Sequence, residues 1–483
     1  MSSSARGLAE HLEHPQGRGR TPPRACTGAA GGAACGDLIR ISLSLRRGSP
    51  GGAIADAGFD GRGCGAVLAA GSATVSLVRD TPLLDAARIG AGEIASELGG
   101  LSQAKRHAAE LAADALHRAL GALAREQAAL DAVRERALVA MSGGVDSAVA
   151  ALLVAQRGAE AVGVTLELWS DPDNDGELSC CSAQAVRRAR HLAHSLGMPH
   201  LSIDLRAEFR AGVVQPWIAD HAAGLTPNPC VRCNGSVRLD AMLELADRLG
   251  AGSLATGHYA RVEEGPLIRT AADERKDQSY VLSALSPSSL ARLRFPLGHL
   301  HKAQVRELAE AAGLDVARRR DSQDLCFLAG TRQDAFLARH GGLGARRGAI
   351  LDQRGGLLGE HRGSHHFTVG QRRGLGLSAR EPVYVLATDI HANTVTAGPR
   401  PGLLASEVRV RDLTLRRRGA LVDGVRLRAH GRMLGCRLRD DLRPGSHARA
   451  ALELTEPAER TAPGQLACMY AGDVVVGHAT VAA

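Results

Sequence analysis

Ala137-Leu-Val-Ala-Met-Ser-Gly-Gly-Val-Asp-Ser147 is the stretch of residues that decides the fold of this chain. The apolar run from Ala137 to Met141 predicts a buried parallel strand, and the run from Ser147 to Arg157 predicts an amphipathic helix. Gly143 and Gly144 let backbone N–H groups approach a phosphate, and the helix dipole favours negative charge there. No Gly-Lys-Ser/Thr follows, so this is not a Walker A loop. The sequence therefore predicts an anion site between a strand and a helix.

The segment after this loop alternates between strand and helix patterns, as a doubly wound α/β domain with a parallel sheet requires. Ligands of such sheets lie beyond the carboxyl ends of the strands, where Ser142 to Ser147, Leu166 and Gly257 fall. The predicted strands are 161–168, 200–204 and 253–257, and the predicted helices are 182–196 and 208–223.

Composition limits the classes of protein that this chain can be. Its 483 residues predict two to four domains, and its 45% hydrophobic content is ample for packed cores. No run approaches the ~18 apolar residues of a membrane span, and no secretory signal opens the chain, so we expect a cytoplasmic protein without a membrane partner. The net charge of +8 suits a polyanionic partner. Ten cysteines are too sparse for a disulfide scaffold and favour metal, sulfur or redox chemistry.

The first 130 residues have a different character. Residues 1–25 are polar and rich in Gly, Pro and Arg, which predicts a disordered tail. A small α+β domain follows, with Cys35, Asp37 and Cys64 on glycine turns and helices predicted at 66–78 and 111–123. Such ligands from loops indicate a zinc or iron–sulfur site, and two buried structural cysteines are the alternative. Residues 124–135 are charged and predict a helical linker.

Two further stretches carry cysteines that the strand–helix alternation does not explain. In Thr226-Pro-Asn-Pro-Cys-Val-Arg-Cys-Asn234, Cys233 or Asn234 is expected to cap the next helix, which would favour a thiolate on Cys233. A Cys-x-x-Cys pair is also half a zinc site, for which only Cys180-Cys181 offers a second half. Cys326 follows a basic, polar run and is either a core residue or the partner of Cys233 in a two-thiol relay.

Taken together, these stretches resemble two known families. Ser142-Gly-Gly-Val-Asp-Ser147 resembles the loop of the PP-loop ATP pyrophosphatases. With Thr226–Asn234 and Asp321-Ser-x-x-x-Cys-Phe327, it resembles the bacterial tRNA-specific 2-thiouridylase family (MnmA) over about residues 136–483. Thr256-Gly-His-Tyr259, Lys276-Asp-Gln-Ser-Tyr280, Gly370–Gly376 and Pro463-Gly-Gln465 agree with the same family. Along most of residues 31–125, the chain resembles the NifU/IscU-like iron–sulfur scaffolds.

The thiouridylase resemblance implies ATP and Mg²⁺ as cofactors, tRNA as substrate, and a cysteine desulfurase or sulfur carrier as donor. It implies Cys233 as nucleophile and Cys326 as the persulfide carrier, which end as a disulfide. The implied ATP contacts are Ala140, Met141, Ser142, Gly143, Gly144, Val145, Asp146, Ser147, Leu166 and Gly257. The implied tRNA contacts are Asn228, Pro229, Cys230, His258, Lys276, Asp277, Gln278, Arg428 and Gln465. Ala429 replaces a family tyrosine, and His258 has a structural role as its alternative.

The scaffold resemblance implies a zinc or iron–sulfur site at Cys35, Asp37, Cys64 and His107. The third family cysteine falls on Ala108, so this domain either builds clusters, binds zinc, or serves as a docking platform for a desulfurase. Short alternating strands with turn signals near the C-terminus predict a β-barrel, with Cys436 and Cys468 in its core. The predicted domains are 26–130, 135–325, 326–395 and 396–483.

The sequence thus predicts ATP-dependent 2-thiolation of the wobble uridine of tRNA, giving 2-thiouridine, AMP and pyrophosphate. Two alternatives remain. Another PP-loop tRNA thiolase would share the first loop without needing both thiols. A non-enzymatic iron–sulfur scaffold or sulfur carrier would need neither the loop nor Cys326.

Overall fold

The computed structural model describes residues 7–31, 36–46, 48–49, 51–171, 182–319, 325–328 and 330–482. Within them the chain forms four β-sheets with associated helices. Cys35, the Cys180-Cys181 pair and the Asp321-Ser322 part of the Cys326 motif lie outside the described residues.

The described helices are α1 (Leu8–Glu13), α2 (Gly65–Val78), α3 (Leu83–Ala86), α4 (Ala91–Glu97), α5 (Arg106–Glu126), α6 (Val145–Gln156), α7 (Ala183–Ser195), α8 (Arg206–Phe209), α9 (Gln215–Ala222), α10 (Pro229–Arg232), α11 (Asp240–Arg248), α12 (Ser279–Leu282), α13 (Pro287–Arg292), α14 (Lys302–Ala311) and α15 (Gln333–Gly341). Shorter 3₁₀ turns are Gln103–Lys105, Ser364–His366, Arg400–Leu403 and Gly419–Leu421. Two π-helical stretches, Arg210–Val214 and Cys233–Leu239, join α8 to α9 and α10 to α11.

The described strands are β1 (Cys26–Gly31), β2 (Leu38–Leu45), β3 (Ile54–Arg62), β4 (Val133–Ala140), β5 (Glu160–Glu167), β6 (His200–Asp204), β7 (Ala251–Ala255), β8 (Arg261–Glu263), β9 (Leu267–Arg269), β10 (Leu293–Arg294), β11 (Gly348–Leu351), β12 (Leu357–His361), β13 (Tyr384–Asp389), β14 (Thr394–Gly398), β15 (Leu404–Leu415), β16 (Gly424–Arg426), β17 (Leu434–Leu438), β18 (Gly445–Glu459), β19 (Leu466–Ala471) and β20 (Val474–Val481).

An antiparallel sheet of β1, β2 and β3 forms the N-terminal module, and α2 and α5 pack on it. The sequence of β2 alternates apolar and polar residues, as a strand buried on one face requires. Gly28 in β1 lets α5 approach closely, because a Cβ there would lie 2.2 Å from the carbonyl oxygen of Ala115. The absence of one side chain therefore fixes how tightly the long helix lies on this sheet.

Residues 7–25 do not form the disordered tail that the composition predicts. They contain α1, whose His11 is 1% exposed and lies 2.8 Å from the hydroxyl of Ser72. Further along, the Gly19 N–H donates to the carbonyl of Phe59 at 2.7 Å. The prediction was wrong because the average composition of a segment does not show its individual contacts. Here one buried side-chain hydrogen bond and one backbone hydrogen bond hold a polar segment against the domain.

The second sheet is parallel throughout, in the order β10-β7-β4-β5-β6, so the predicted doubly wound class is confirmed. Strand β4 lies at its centre, with Ala140 opposite Val164. One face packs on α6 and α7, through residues such as Val139 and Ala189. The other face, which includes Leu201 and Ile203, shares a hydrophobic cluster with α11 and with the N-terminal module.

Helix α5 connects these two sheets without the helical linker predicted at 124–135. The helix ends at Glu126 and β4 begins at Val133, so only 127–132 lie between. Gly121 lies against β6, where a Cβ would be 1.9 Å from the carbonyl oxygen of Ser202. The prediction of a linker rested on the charged residues at 124–135. Most of α5, which ends within that segment, is instead buried between two sheets.

The helix after the Thr226–Asn234 loop begins earlier than the sequence predicts. Asn228, rather than Cys233 or Asn234, is its N-cap, and its Oδ1 accepts the N–H of Cys230 at 3.0 Å. Pro229 occupies the first helical position, where a missing N–H costs nothing. Cys233 therefore lies in the second turn, at the start of the π-helical stretch, in which Gly235 has a non-helical ψ of −113°.

The C-terminal half contains the other two sheets. A mixed sheet, in the order β12-β11-β14-β13, forms the central module. Strands β15-β18-β17-β16-β19-β20 close into a barrel through pairing of β15 with β20, as the sequence predicts. Hairpin β8–β9 from the preceding domain adds to this barrel where Arg269 pairs with Val474, which attaches the barrel to the parallel-sheet domain.

Candidate functional site

The loop at 141–144 is braced by the two serines that flank its glycines. The Ser142 N–H donates to the Ser147 hydroxyl at 3.1 Å, and that hydroxyl donates to the carbonyl of Gly144 at 3.0 Å. Gly143 has a φ of +69°, and a Cβ there would lie 2.8 Å from the Ala185 carbonyl. The loop thus holds a left-handed turn that glycine favours, directly before the N-terminus of α6.

A cavity of about 280 Å³ opens above this loop. It brings together most residues for which the sequence predicts ATP contact, and its lining is Ala140, Ser142, Gly143, Gly144, Val145, Asp146, Ser147, Arg238, Thr256, Gly257, His258, Gln278 and Arg319. Two predicted contacts, Met141 and Leu166, are 3% and 6% exposed and do not line this cavity. The Met141 N–H instead donates to the Val164 carbonyl, which holds the loop to β5.

Gly257 and Asp146 meet at the floor of the cavity. A Cβ on Gly257 would lie 2.8 Å from backbone atoms of Asp146 and Ser147, so only glycine lets the segment after β7 come this close to the first turn of α6. The Asp146 carboxylate accepts from Lys302 Nζ at 2.7 and 2.9 Å and from the Tyr259 hydroxyl at 2.8 Å. These contacts fix the carboxylate at the entrance of α6, where it can serve as an oxygen ligand for a cation.

Three cations near the loop are absent from the sequence-based prediction. Lys302 pairs with Asp146, Arg319 Nη1 lies 3.4 Å from the Gly143 carbonyl, and Arg238 lines the same cavity. Arg238 lies five residues after Cys233, and Arg319 lies in the run of three arginines before Asp321. The chain is rich in arginine, so sequence alone offered no signal that separates these side chains from solvated ones.

His258 is 8% exposed at the cavity wall, and its Nδ1 lies 2.8 Å from the Thr256 hydroxyl. Burial and the nearby Arg238 guanidinium lower the pKa of His258 to about 3. The ring is therefore neutral near pH 7 and contributes a polar contact rather than a positive charge. Its position beside the phosphate loop differs from that of the predicted tRNA contacts described next.

A second cavity, of about 690 Å³, contains three of the predicted tRNA contacts. Asn228, Arg428 and Gln465 line it together with Gly370 and Gln371 of the central module, and Ala429 lies beside them. Gln465 Nε2 donates to the Thr226 carbonyl at 2.5 Å, which ties the barrel to the cysteine loop. Three domains thus contribute to one concave surface at the end of the helix that carries Cys233.

The remaining predicted tRNA contacts are not all on that surface. Asp277 is 7% exposed, accepts from the Ala271 N–H and the Ser279 hydroxyl, and pairs with Arg426 of the barrel. Gln278 Oε1 accepts the Tyr259 N–H at the first cavity. Pro229 is buried, Cys230 and Lys276 are half-buried, and burial raises the pKa of the Cys230 thiol.

Cys233 and Cys326 lie in segments that pack on the same helix, the run from Arg206 to Ala222. The π-helical stretch that begins at Cys233 contacts α8 and the π-helical stretch after it. Cys326 is half-buried, and its neighbour Phe327 is 2% exposed. The ring of Phe327 is the centre of a cluster with centroid separations of 5.2–6.4 Å, formed with Trp169, Phe209, Trp217 and Phe336.

This cluster contains both tryptophans of the chain and three of its six phenylalanines. Such a concentration in an aromatic-poor protein anchors the Cys326 segment by buried apolar area. Cys436 and Cys468 are buried in the barrel, and burial raises the pKa of each thiol to about 12, so they remain inert thiols.

The predicted metal ligands of the N-terminal module converge at the start of α5. Ligand atoms of Asp37, Cys64 and His107 all lie within 4.8 Å of one another. Asp37 Oδ1 accepts the Cys64 N–H at 2.9 Å, and Asp37 Oδ2 lies 3.0 Å from His107 Nε2. A thiolate, a carboxylate and an imidazole form a donor set that suits zinc. The fourth predicted ligand, Cys35, is outside the described residues, and Ala108 is fully buried in α5.

Four family models match consecutive parts of the chain. They are described as the NifU-like N terminal domain (5–129), the tRNA methyl transferase HUP domain (135–330), the tRNA methyl transferase PRC-barrel domain (334–399) and the aminomethyltransferase beta-barrel domain (420–481). A bifunctional protein NifU/MnmA of Rubrobacter xylanophilus is 41% identical and aligned over 98% of each chain. The chain belongs to the bifunctional NifU/MnmA family.

Relatives without the N-terminal module match this NifU/MnmA chain over its remaining length. The tRNA-specific 2-thiouridylase MnmA of Thermobifida fusca is 44% identical over 72% of this chain and 95% of its own. That of Acidithiobacillus ferrooxidans is 40% identical over 71% and 97%. Both resemblances predicted from the sequence are thus confirmed. Among the described helices of this family member, none is both long and apolar enough to cross a membrane.

Proposed function

We propose that this chain transfers sulfur to the wobble uridine of tRNA in an ATP-dependent reaction. One observation carries the proposal: one kinked helical segment joins the two cavities. It begins at Asn228 on the three-domain surface, bears the Cys233 thiol in its second turn, and contributes Arg238 to the phosphate-loop cavity. A base held at Asn228 would therefore meet an activated phosphate from one side and a thiol from the other.

Uridine O2 is a poor leaving group, so the proposed reaction starts by adenylation. O2 attacks the α-phosphorus of ATP, pyrophosphate leaves into the glycine loop, and the N3 proton of the base passes to solvent. Mg²⁺ bound with ATP, for which Asp146 is the proposed protein ligand, would neutralise the triphosphate. The loop N–H groups and the positive end of the α6 dipole would also stabilise the negative charge of the released pyrophosphate.

Sulfur transfer follows at the thiol pair. The outer sulfur of a Cys326 persulfide attacks C2 of the adenylated base. Cys233 then attacks the Cys326 sulfur, the persulfide bond breaks toward the substrate sulfur, and AMP leaves as 2-thiouridine forms. The two cysteines end as a disulfide, which a cellular thiol reductant must reopen before the next turnover.

The substitution Cys326→Ser in the full chain tests this function. We expect 2-thiouridine in digested tRNA to fall below detection by mass spectrometry, because no persulfide can form, whereas tRNA binding stays within about twofold. Cys26→Ser is the matched control, since that buried thiol bonds Glu126 and Gln127 and lines neither of the two cavities. Wild-type 2-thiouridine formation by the Cys326→Ser variant would contradict the proposal.

The same assay separates the rival functions. A different PP-loop thiolase would place sulfur at another atom or base, which the nucleoside chromatogram distinguishes. A scaffold or carrier protein would release no AMP from ATP in the presence of tRNA. A tRNA methyl transferase would form a methylated nucleoside, which the same chromatogram detects. The glycine loop and the two cysteines favour sulfur transfer over each of these.

The N-terminal module is proposed to bind zinc or an iron–sulfur cluster and to improve sulfur delivery from a cysteine desulfurase. Convergence of Asp37, Cys64 and His107 supports a metal site, and fusion to the thiolation domains supports a role in sulfur supply.

Cys64→Ala tests this role in the full chain. We expect the variant to lose bound metal in elemental analysis and to thiolate tRNA more slowly when desulfurase is limiting, with recovery when the desulfurase is in excess. An unchanged metal content and an unchanged thiolation rate would contradict a role of the module in sulfur supply. Cys26→Ser is again the control, because it changes a thiol in the same module away from the three ligands.

A further inference from the structure

Arg238 occupies a position between the two cavities that the sequence does not reveal. Its side chain lines the phosphate-loop cavity, yet it belongs to the helix that begins at the three-domain surface. Its charge acts on groups on both sides, because it lowers the pKa of His258 in the first cavity and opposes the raised pKa of Cys230 near the second. Arg238 therefore lies where an ATP phosphate and a base at Asn228 would approach each other.

The backbone between Cys233 and Arg238 is kinked. Gly235 departs from helical geometry with a ψ of −113°, so the segment Cys233–Leu239 joins two helices across a kink. Regular helical spacing therefore does not set the angle between the Cys233 and Arg238 side chains, and periodicity in the sequence does not place Arg238 at the phosphate-loop cavity.

The other arginine of the cavity occupies a different place. Arg319 lies at the glycine loop, with Nη1 3.4 Å from the Gly143 carbonyl, whereas Arg238 affects His258 on the wall formed after β7. The loop is the proposed cradle for the leaving pyrophosphate. Of these two arginines, Arg238 is the one whose charge also acts on Cys230, two residues after Asn228 of the three-domain surface.

On the basis of the proposed function, we propose that Arg238 donates to the α-phosphate of ATP and stabilises the transition state of uridine adenylation. In that step the O2–phosphorus bond forms and the bond to the pyrophosphate oxygen breaks, with its electron pair leaving on pyrophosphate. Negative charge on the equatorial oxygens of the α-phosphorus is what a forked guanidinium binds. Arg319 holds the loop end of the triphosphate.

The test measures adenylation apart from sulfur transfer. Under single-turnover conditions with excess enzyme and labelled ATP, Arg238→Gln should form AMP-linked product about 100-fold more slowly, the loss typical for one transition-state donor. The tRNA dissociation constant and the persulfide content of Cys326 should stay within about twofold of wild type. Arg238→Lys should adenylate about tenfold faster than Arg238→Gln, because lysine keeps the positive charge but lacks the forked guanidinium.

Arg248→Gln is the matched control, because it removes the same side chain from the exposed C-terminal end of α11. It should adenylate at the wild-type rate. An Arg238→Gln variant with wild-type adenylation, or one whose defect lies wholly in the KM for ATP or in tRNA affinity, would overturn the role of Arg238. If Arg238→Gln does not fold, a wild-type adenylation rate in Arg238→Lys would contradict the proposed role of the forked Arg238 guanidinium. A wild-type enzyme that forms no 2-thiouridine would instead refute the proposed function.

Discussion

At the scale of the residue, His258 illustrates how burial changes the meaning of a side chain. The sequence predicts a tRNA contact, but the ring lies at the phosphate-loop cavity, near Arg238 and edge-on to Phe295. Its pKa of about 3 means that it stays neutral throughout the physiological range. His258 can thus accept or donate one hydrogen bond there, but it cannot attract phosphate by charge.

Buried neutral histidines also predict how stability depends on pH. The pKa of His258 is lowered to about 3, and burial lowers those of His221 and His478 to about 4, against about 6.5 in an unfolded chain. Below pH 6.5 the unfolded state therefore binds more protons than the folded one, and stability falls as pH decreases toward 4. Each such histidine lowers the free energy of unfolding by about 1.4 kcal/mol for each pH unit of decrease in that window.

We therefore expect the urea midpoint to drop between pH 7 and pH 5, and to drop less in His478→Gln. This barrel residue is away from both cavities, and glutamine has no proton to gain over this range. Fluorescence-monitored urea titrations at the two pH values would measure both midpoints. An equal drop in the variant and the wild type would contradict a titrating role for His478.

At the scale of the element, α5 is the structure that unites the N-terminal module with the parallel-sheet domain. It packs on β1 and β2 on one side and on β6 on the other. Arg190 of α7 is 1% exposed and bonds Asp114 and Glu110 of α5, while Arg118 pairs with Glu167 of β5. Removing one partner of so buried a pair typically costs about 3–5 kcal/mol, so this contact is permanent rather than transient.

Gly121→Ala tests the docking of α5 on β6. The added Cβ would lie 1.9 Å from the Ser202 carbonyl oxygen, so helix and strand must separate, and overpacking of this kind costs about 1–3 kcal/mol. We expect a lower melting temperature in scanning calorimetry.

Gly92→Ala in α4 is the matched control, because its Cβ would meet nothing within 4 Å. That change should raise stability by about 0.5–1 kcal/mol, since alanine is the better helix former. A Gly121→Ala variant as stable as Gly92→Ala would contradict tight docking.

At the scale of the whole molecule, the N-terminal module is a structural layer of the parallel-sheet domain. Leu201 and Ile203 of β6 belong to the same buried cluster as the apolar residues of α5. Deletion of residues 1–130 would expose that face, so loss of thiolation after such a deletion would not distinguish sulfur supply from folding. Point variants at Cys64 in the full chain avoid this ambiguity.

The sequence by itself determined the local features of this protein. Gly143 and Gly257, the alternation of strands and helices, and the closing barrel follow from backbone sterics and hydrophobic period, which act over a few residues. The two family resemblances rest on the same short motifs. At the cap of the Cys233 helix the local prediction was wrong, because it named Cys233 or Asn234 whereas Asn228, followed by Pro229, is the N-cap.

Only the tertiary structure decided which distant side chains meet. Arg238, Lys302 and Arg319 look like ordinary surface cations in an arginine-rich sequence, and α1 looks like part of a polar tail. Their roles depend on the burial and charge of residues far away in the chain, such as Asp146 beside Lys302 and Ser72 beside His11. Packing is a long-range property of the folded chain, so no local pattern encodes that Arg238 lies between the phosphate loop and the thiol loop.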